Sequence, residues 1–192
     1  SYRPKWVKGN HGAVLQVIQI SRPFSTVMAS NDILVMKALR MPEVVKGGKD
    51  PSCHLPEALD LKAAAALMQR IEKEFSSHPS SINRLKQRIV QRVSDGDQFF
   101  CEAEGELVAH GAIEYYTPDA AMLGGIYVDP GMRGRGCGSY VTGELMKRTF
   151  DKKMIPMLCV YSDNLEACRV YEALGFDTEA KLLEIHLEYD RS

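Results

Sequence analysis

The sequence predicts a mixed α/β (α+β) fold, and three observations carry that expectation. Residues 60–93 hold two stretches whose apolar side chains recur every three to four positions, the spacing of helices with one buried face. Residues 98–128 hold three short β-like runs divided by glycine turns. Residues 139–189 then alternate helix, strand, helix, strand. A chain of 192 residues has room for one sizeable core, or for one domain with a partial second.

In order along the chain, Val14–Ile20 and Ile33–Leu39 are apolar, rich in β-branched residues and flanked by breakers, which predicts two short strands. The segment Val45-Lys46-Gly47-Gly48-Lys49-Asp50-Pro51 has the composition of a loop and places a boundary between an N-terminal extension, 1–50, and a main domain, 51–192. A helix is expected over Asp60–Phe75, with Leu61, Ala65, Met68, Ile71 and Phe75 on a repeat of three to four residues. A second is expected over Ser80–Val93, capped by serine and stopped by Ser94-Asp95-Gly96-Asp97. Gln98–Ala103 and Leu107–Tyr116 read as a hairpin turning at Glu104-Gly105-Glu106, and Ala120–Val128 as the third strand of an antiparallel meander. After a glycine-dense loop come a helix over Ser139–Phe150 and a strand over Met157–Tyr161. Asp163 with Glu166 resembles a capping box opening a helix that ends at Leu174-Gly175, and Lys181–Tyr189 alternates as a last strand.

With 24 basic and 25 acidic side chains, net charge −1, the chain lacks the basic excess that counterion-release binding to nucleic acid uses. No run approaches the roughly 18 apolar residues that span a bilayer, and no apolar signal-peptide region follows Ser1-Tyr2-Arg3-Pro4-Lys5. The expectation is therefore no nucleic acid, no membrane and a cytoplasmic location. Cys53, Cys101, Cys137, Cys159 and Cys168 form no C-x-x-C pair, and the five histidines are scattered, so reduced structural thiols and no metal are expected. His110 reads as a lone, hydrogen-bonded histidine, Tyr115, Tyr116 and Tyr127 as strand packing, and Trp6 as an anchor for the N-terminal segment.

The chemically informative stretch is Val128-Asp129-Pro130-Gly131-Met132-Arg133-Gly134-Arg135-Gly136-Cys137-Gly138-Ser139, where a strand feeds a glycine-dense loop and then a helix. Glycines let successive backbone N–H groups converge on one point, and the helix N-terminus adds partial positive charge, so a pyrophosphate can be held there without lysine. Arg133 and Arg135 can add charge-assisted hydrogen bonds. A P-loop requires Gly-Lys-Ser/Thr, which is absent, and a dinucleotide fingerprint fails at Ser139 and Val141. A surface turn rich in glycine is the plain structural alternative.

Arg133-x-x-Gly136-x-Gly138 resembles the acyl-CoA loop of the GNAT superfamily of N-acetyltransferases, and Asn164-x-x-Ala167-x-x-x-Tyr171-x-x-x-Gly175-Phe176 resembles its second motif. The resemblance covers roughly residues 52–189 and implies a mostly antiparallel central sheet with flanking helices and a parallel strand pair that splays apart around the cofactor. By that resemblance residues 1–50 are the remnant of a degenerate domain of the same type. It further implies acetyl-CoA as co-substrate, its pantetheine held by the backbone at Ile126, Tyr127 and Val128 and its pyrophosphate by Arg133, Gly134, Arg135, Gly136, Cys137, Gly138 and Ser139. Asn164 would hydrogen-bond near the thioester, and Tyr171 stands where the family keeps the acid that protonates the departing thiolate. Many relatives carry a glutamate base on the strand before the loop; here that stretch is Ala121-Met122-Leu123-Gly124-Gly125, and Glu114 is the substitute, acting through water. Expected partners are acetyl-CoA and an amine acceptor, a small molecule or a protein amine; a homodimer stays open. A non-catalytic acyl-CoA-binding or sensing module and a nucleotide-phosphate binder are the rival readings.

Overall fold

The computed structural model describes residues 5–22, 25–42, 53–76 and 78–189, and the expected linker Val45–Pro51 lies outside them. Seven strands form one mixed sheet: β1 (Trp6–Gly9), β2 (Ser25–Lys37), β3 (Gln98–Ala103), β4 (Glu106–Tyr116), β5 (Ala120–Val128), β6 (Ile155–Tyr161) and β7 (Asp177–Tyr189), in the order β1-β7-β2-β6-β5-β4-β3. Five helices pack on it: α1 (His11–Ser21), α2 (Leu61–Phe75), α3 (Ile82–Ser94), α4 (Cys137–Asp151) and α5 (Leu165–Ala173). None of them is long and apolar enough to cross a membrane.

Successive side chains of a strand point to opposite faces, so the sheet sorts its apolar residues into two layers. Phe100 and Tyr127 join Ala64, Ala65, Leu67, Leu85 and Ile89 beneath α2 and α3. Cys101, Val108, Ile113, Leu123 and Leu158 join Val141, Leu145, Met146 and Phe176 beneath α4 and α5. The β3–β4 hairpin turns as expected, with Glu104 and Gly105 both at positive φ (55° and 79°), the backbone of a tight two-residue turn.

All neighbouring strands run antiparallel except β5 and β6. That parallel pair holds only from Ala120–Leu123 against Ile155–Leu158. Farther along, β6 stays with β2, whose Ile33–Lys37 pair with Met157–Tyr161, while β5 stays with β4. The two strands therefore diverge, as the resemblance implied. A bulge lies beside the point of divergence: Ala112 faces Gly124 and His110 faces Tyr127, so two residues of β5 stand against Gly111 alone, with Gly125 at φ +58°.

The strand expected at Val14–Ile20 is instead helix α1. Its β-branched residues suit strands, but Asn10 caps the first turn by accepting from Ala13 N at 2.8 Å, and Val14, Val17 and Ile18 fall on one helical face against Ile185 and Leu187 of β7. A second correction concerns α5, which is capped by Asn164, whose side chain accepts from Ala167 N at 3.2 Å, rather than by Asp163. A third concerns the thiols: Cys53 and Cys137 are joined by a disulfide, while Cys101, Cys159 and Cys168 are free. Residues 53 and 137 are far apart in sequence, and only the fold brings them together. Trp6 is 57% exposed and stacks on His186 at 4.5 Å between ring centroids, which ties β1 to β7.

Candidate functional site

The divergence of β5 and β6 opens a cleft of about 420 Å³. Gly124, Gly125, Ile126 and Tyr127 form one wall, Cys159 and Tyr161 the other, and Asn164 and Tyr171 of the α5 region close it below. Past Leu123 the β5 edge toward β6 has no strand partner, which leaves main-chain groups facing the opening. Ile71 of α2 and Ile33 of β2 add apolar surface.

At the end of β5 the chain makes a single 3-10 turn, Pro130–Met132, and then passes through Gly134 at φ +75° and Gly136 at φ +90° into α4. Both angles lie in the left-handed region where a Cβ is costly, which is why glycine stands at each. Among the described residues, the N–H groups of Gly134, Gly136, Cys137, Gly138 and Ser139 make no hydrogen bond. They are unpaired main-chain donors at a helix N-terminus, the arrangement that binds phosphate. The arginines are held close by: Arg133 Nε donates to Val128 O at 3.2 Å, and Arg135 Nη1 pairs with Glu104 Oε1 at 2.8 Å. The latter pair is exposed, and such pairs are worth about 0–1 kcal/mol.

Tyr171 is 8% exposed and lines the cleft, and among the described residues its hydroxyl makes no hydrogen bond. Burial, followed by the neighbouring Cys168, pushes the phenol up to about 12, so it remains a proton-bearing donor at any ordinary pH. Asn164 reaches the same cleft while its Oδ1 caps α5.

Glu114 leans across β5. A Cβ on Gly124 would stand 2.7 Å from Glu114 Cγ, so a larger residue there would force the Glu114 side chain to shift. The Glu114 carboxylate lies 3.5 Å from Arg92 Nη1, and Arg92 also donates to Ile113 O.

His110 was expected to be hydrogen-bonded, and the structure corrects this: it is 3% exposed, yet neither ring nitrogen has a partner among the described residues. Leaving a buried polar group unpaired costs about 1–3 kcal/mol. The sequence carried no signal of this, because satisfaction of a side chain depends on neighbours from α3, β3 and β5. Burial first, then the charges of Arg92 and Arg88, pushes the imidazole down to about 4. The unfolded chain binds this proton below pH about 6.5 and the folded chain only near 4. Stability should thus be intact at neutral pH and fall through that window on acidification, by on the order of 3 kcal/mol. Urea unfolding at pH 7 and 4.5, with His110→Leu as a variant that should lose this contribution, checks it.

The three sulfurs of Cys53, Cys101 and Cys137 lie within 4.8 Å of one another, all buried. With two of them in the disulfide, Cys101 alone keeps a thiol, and burial raises it to about 11. Such a thiol carries its proton at neutral pH.

Solved structures with the same fold include a GCN5-related N-acetyltransferase from Sphaerobacter thermophilus, at TM-score 0.68 and 17% identity over 97% of this chain and 59% of that one. A GNAT-family acetyltransferase from Colwellia psychrerythraea gives 0.62 and 15% over 95% and 64%. A tandem GNAT protein from the clavulanic acid biosynthesis pathway gives 0.63 and 14% over 96% and 60%. The chain thus spans about three fifths of the length of these proteins. No curated protein matches it in sequence. The sequence profile of the acetyltransferase (GNAT) family, however, matches residues 62–176, which include the glycine loop, α4, β6 and α5. This chain belongs to the GNAT acetyltransferase family.

Proposed function

We propose that the protein is an N-acetyltransferase that moves the acetyl group of acetyl-CoA to a primary amine by direct attack within a ternary complex. The observation that carries the reading is the set of amides of Gly134, Gly136, Cys137, Gly138 and Ser139, unpaired among the described residues, directly behind a strand whose next edge opens onto a cleft. The amides would take the pyrophosphate and the main chain of Ile126, Tyr127 and Val128 the pantetheine, with the thioester lying beside the bulge at Gly125. Main-chain donors there would stabilise the oxyanion as it forms. Asn164, its Oδ1 already used, keeps its amide N–H donors for the pantetheine end.

The amine nitrogen bonds to the thioester carbon, an N–H proton leaves toward Glu114 through water, and the C–S bond then breaks. Tyr171 gives its proton to the departing sulfur. A phenol near 12 is a weak acid, but the same dry surroundings destabilise a bare thiolate, so charge growing on sulfur draws the proton across.

Acetyl-CoA at about 100 times its Kd should add about 2.7 kcal/mol to the unfolding free energy, and thiol should be released when suitable amines are supplied. No stabilisation at saturating acetyl-CoA overturns the reading. The absence of a carboxylate at Gly124-Gly125 favours, as a second reading, a module that binds acyl-CoA without turnover. Stabilisation by acetyl-CoA with no thiol release from any amine in a broad panel selects that one.

A further inference from the structure

The 420 Å³ cleft between β5 and β6 has apolar and neutral polar walls with one exception: among the described residues that line it, Lys8 of β1 alone is charged. Lys8 is exposed, and it makes no hydrogen bond or ion pair among the described residues. Strand register brings it there. Directly opposed residues of neighbouring strands share a face of the sheet, as do residues two apart on one strand. Lys8 is opposed to Glu184, Glu184 to Asn31, and Ile33, two residues on, to Tyr161 of β6. Leu34, of opposite parity, belongs to the layer beneath α4 and α5, so Ile33, Tyr161 and Lys8 face the other way, toward the side where α2 lends Ile71 to the cleft. The amides at the start of α4 thus lie on one face of the sheet and Lys8 on the other. Trp6 and Tyr161, on the face of Lys8, are 57% and 45% exposed, so an acceptor has access from that side.

We infer that Lys8 is a specificity-determining residue, whose ammonium selects an acceptor amine that also carries a carboxylate. The inference rests on the acetyltransferase reading above and deepens it by naming the class of substrate. A cation beside walls such as Ile33, Ile71 and Tyr161 gives an anionic group its one charged partner in the cleft. Glu184, the acid opposed to Lys8, does not line the cleft, and its Oε2 accepts from the Tyr161 hydroxyl at 2.8 Å. One ammonium balances one negative charge, which suits a carboxylate; a phosphate dianion calls for several donors. Strands β7 and β2 stand between β1 and β6, and neighbouring strands lie about 4.8 Å apart. The stem of Lys8 reaches back over only part of that span, so the carboxylate binds away from the thioester. The acceptor therefore holds amine and carboxylate apart on a spacer, as an ω-amino acid does.

The test measures thiol release from acetyl-CoA with ω-amino carboxylates of increasing length, each paired with the alkylamine of equal length, in wild type, Lys8→Met and Lys8→Arg. At the best length, wild type should prefer the carboxylate by roughly five- to twentyfold in kcat/KM, the range for one charge pair in a partly open site. Methionine keeps the stem and removes the charge, so in Lys8→Met that ratio should fall to about one. Arginine keeps the charge and should keep the preference. Thermal unfolding of the three proteins should coincide, since Lys8 has no internal partner to lose. A preference that survives in Lys8→Met, or an active wild type indifferent to the carboxylate at every length, overturns the inference and leaves acetyl transfer standing. A KM for acetyl-CoA that rises in Lys8→Met alike with every acceptor shows that Lys8 serves the cofactor, and overturns it too. A wild type that releases no thiol with any amine overturns both readings.

Discussion

Replacing Tyr171 with phenylalanine should lower kcat by roughly 10²- to 10³-fold, the range for removing a positioned general acid, and leave acetyl-CoA binding within about twofold. The hydroxyl is the only polar atom of that side chain, and among the described residues it makes no hydrogen bond. Removing it therefore breaks no internal contact. The ring keeps its edge-on packing on Phe176 at 6.0 Å, so the fold should be untouched. Loss of transition-state donation without loss of binding lowers kcat and kcat/KM together. The loss should also shrink with an acyl donor whose thiol is more acidic, because its thiolate leaves without help. An unchanged kcat in Tyr171→Phe, with the acetyl-transfer step shown to be rate-limiting, removes Tyr171 from the chemistry.

Reduction of the Cys53–Cys137 disulfide should lower the unfolding free energy by about 4–5 kcal/mol. The bond closes a loop of sequence separation 84, and in the chain-entropy description that constraint restricts the unfolded chain far more than the folded one. A domain is commonly stable by about 5–15 kcal/mol, so the bond is a large share of the total. Urea unfolding with and without dithiothreitol measures the difference, and Cys53→Ala should abolish the response to reductant. Stability that dithiothreitol leaves unchanged in the wild type would show that the pair contributes nothing. Because Cys137 is the first residue of α4, opening the bond also frees the end of the glycine loop where it enters the helix, and acetyl-CoA binding should weaken in parallel.

Most of the element list from residue 60 onward was legible, because helix α3 and strands β3 to β5 carry one period each and their breakers sit where the chain turns. Gly134 and Gly136 marked the loop from sequence because left-handed backbone has few other occupants. Helix α1 was not legible. Its valines and isoleucines favour a strand locally, and only contact with Ile185 and Leu187 chooses the helix. Cysteine pairing was hidden for a similar reason, since spacing along the chain says nothing of residues that meet across the fold.

The sequence by itself determined the mixed α/β class, the glycine loop between strand and helix and the family, since each is written in local spacing that short-range sterics and capping enforce. Only the tertiary structure decided that β2 enters the sheet between β6 and β7, that β5 and β6 part after Leu123, and that His110 and Glu114 both crowd against Gly125. Those arrangements depend on which distant side chains compete for the same volume, and a one-dimensional pattern does not record that competition.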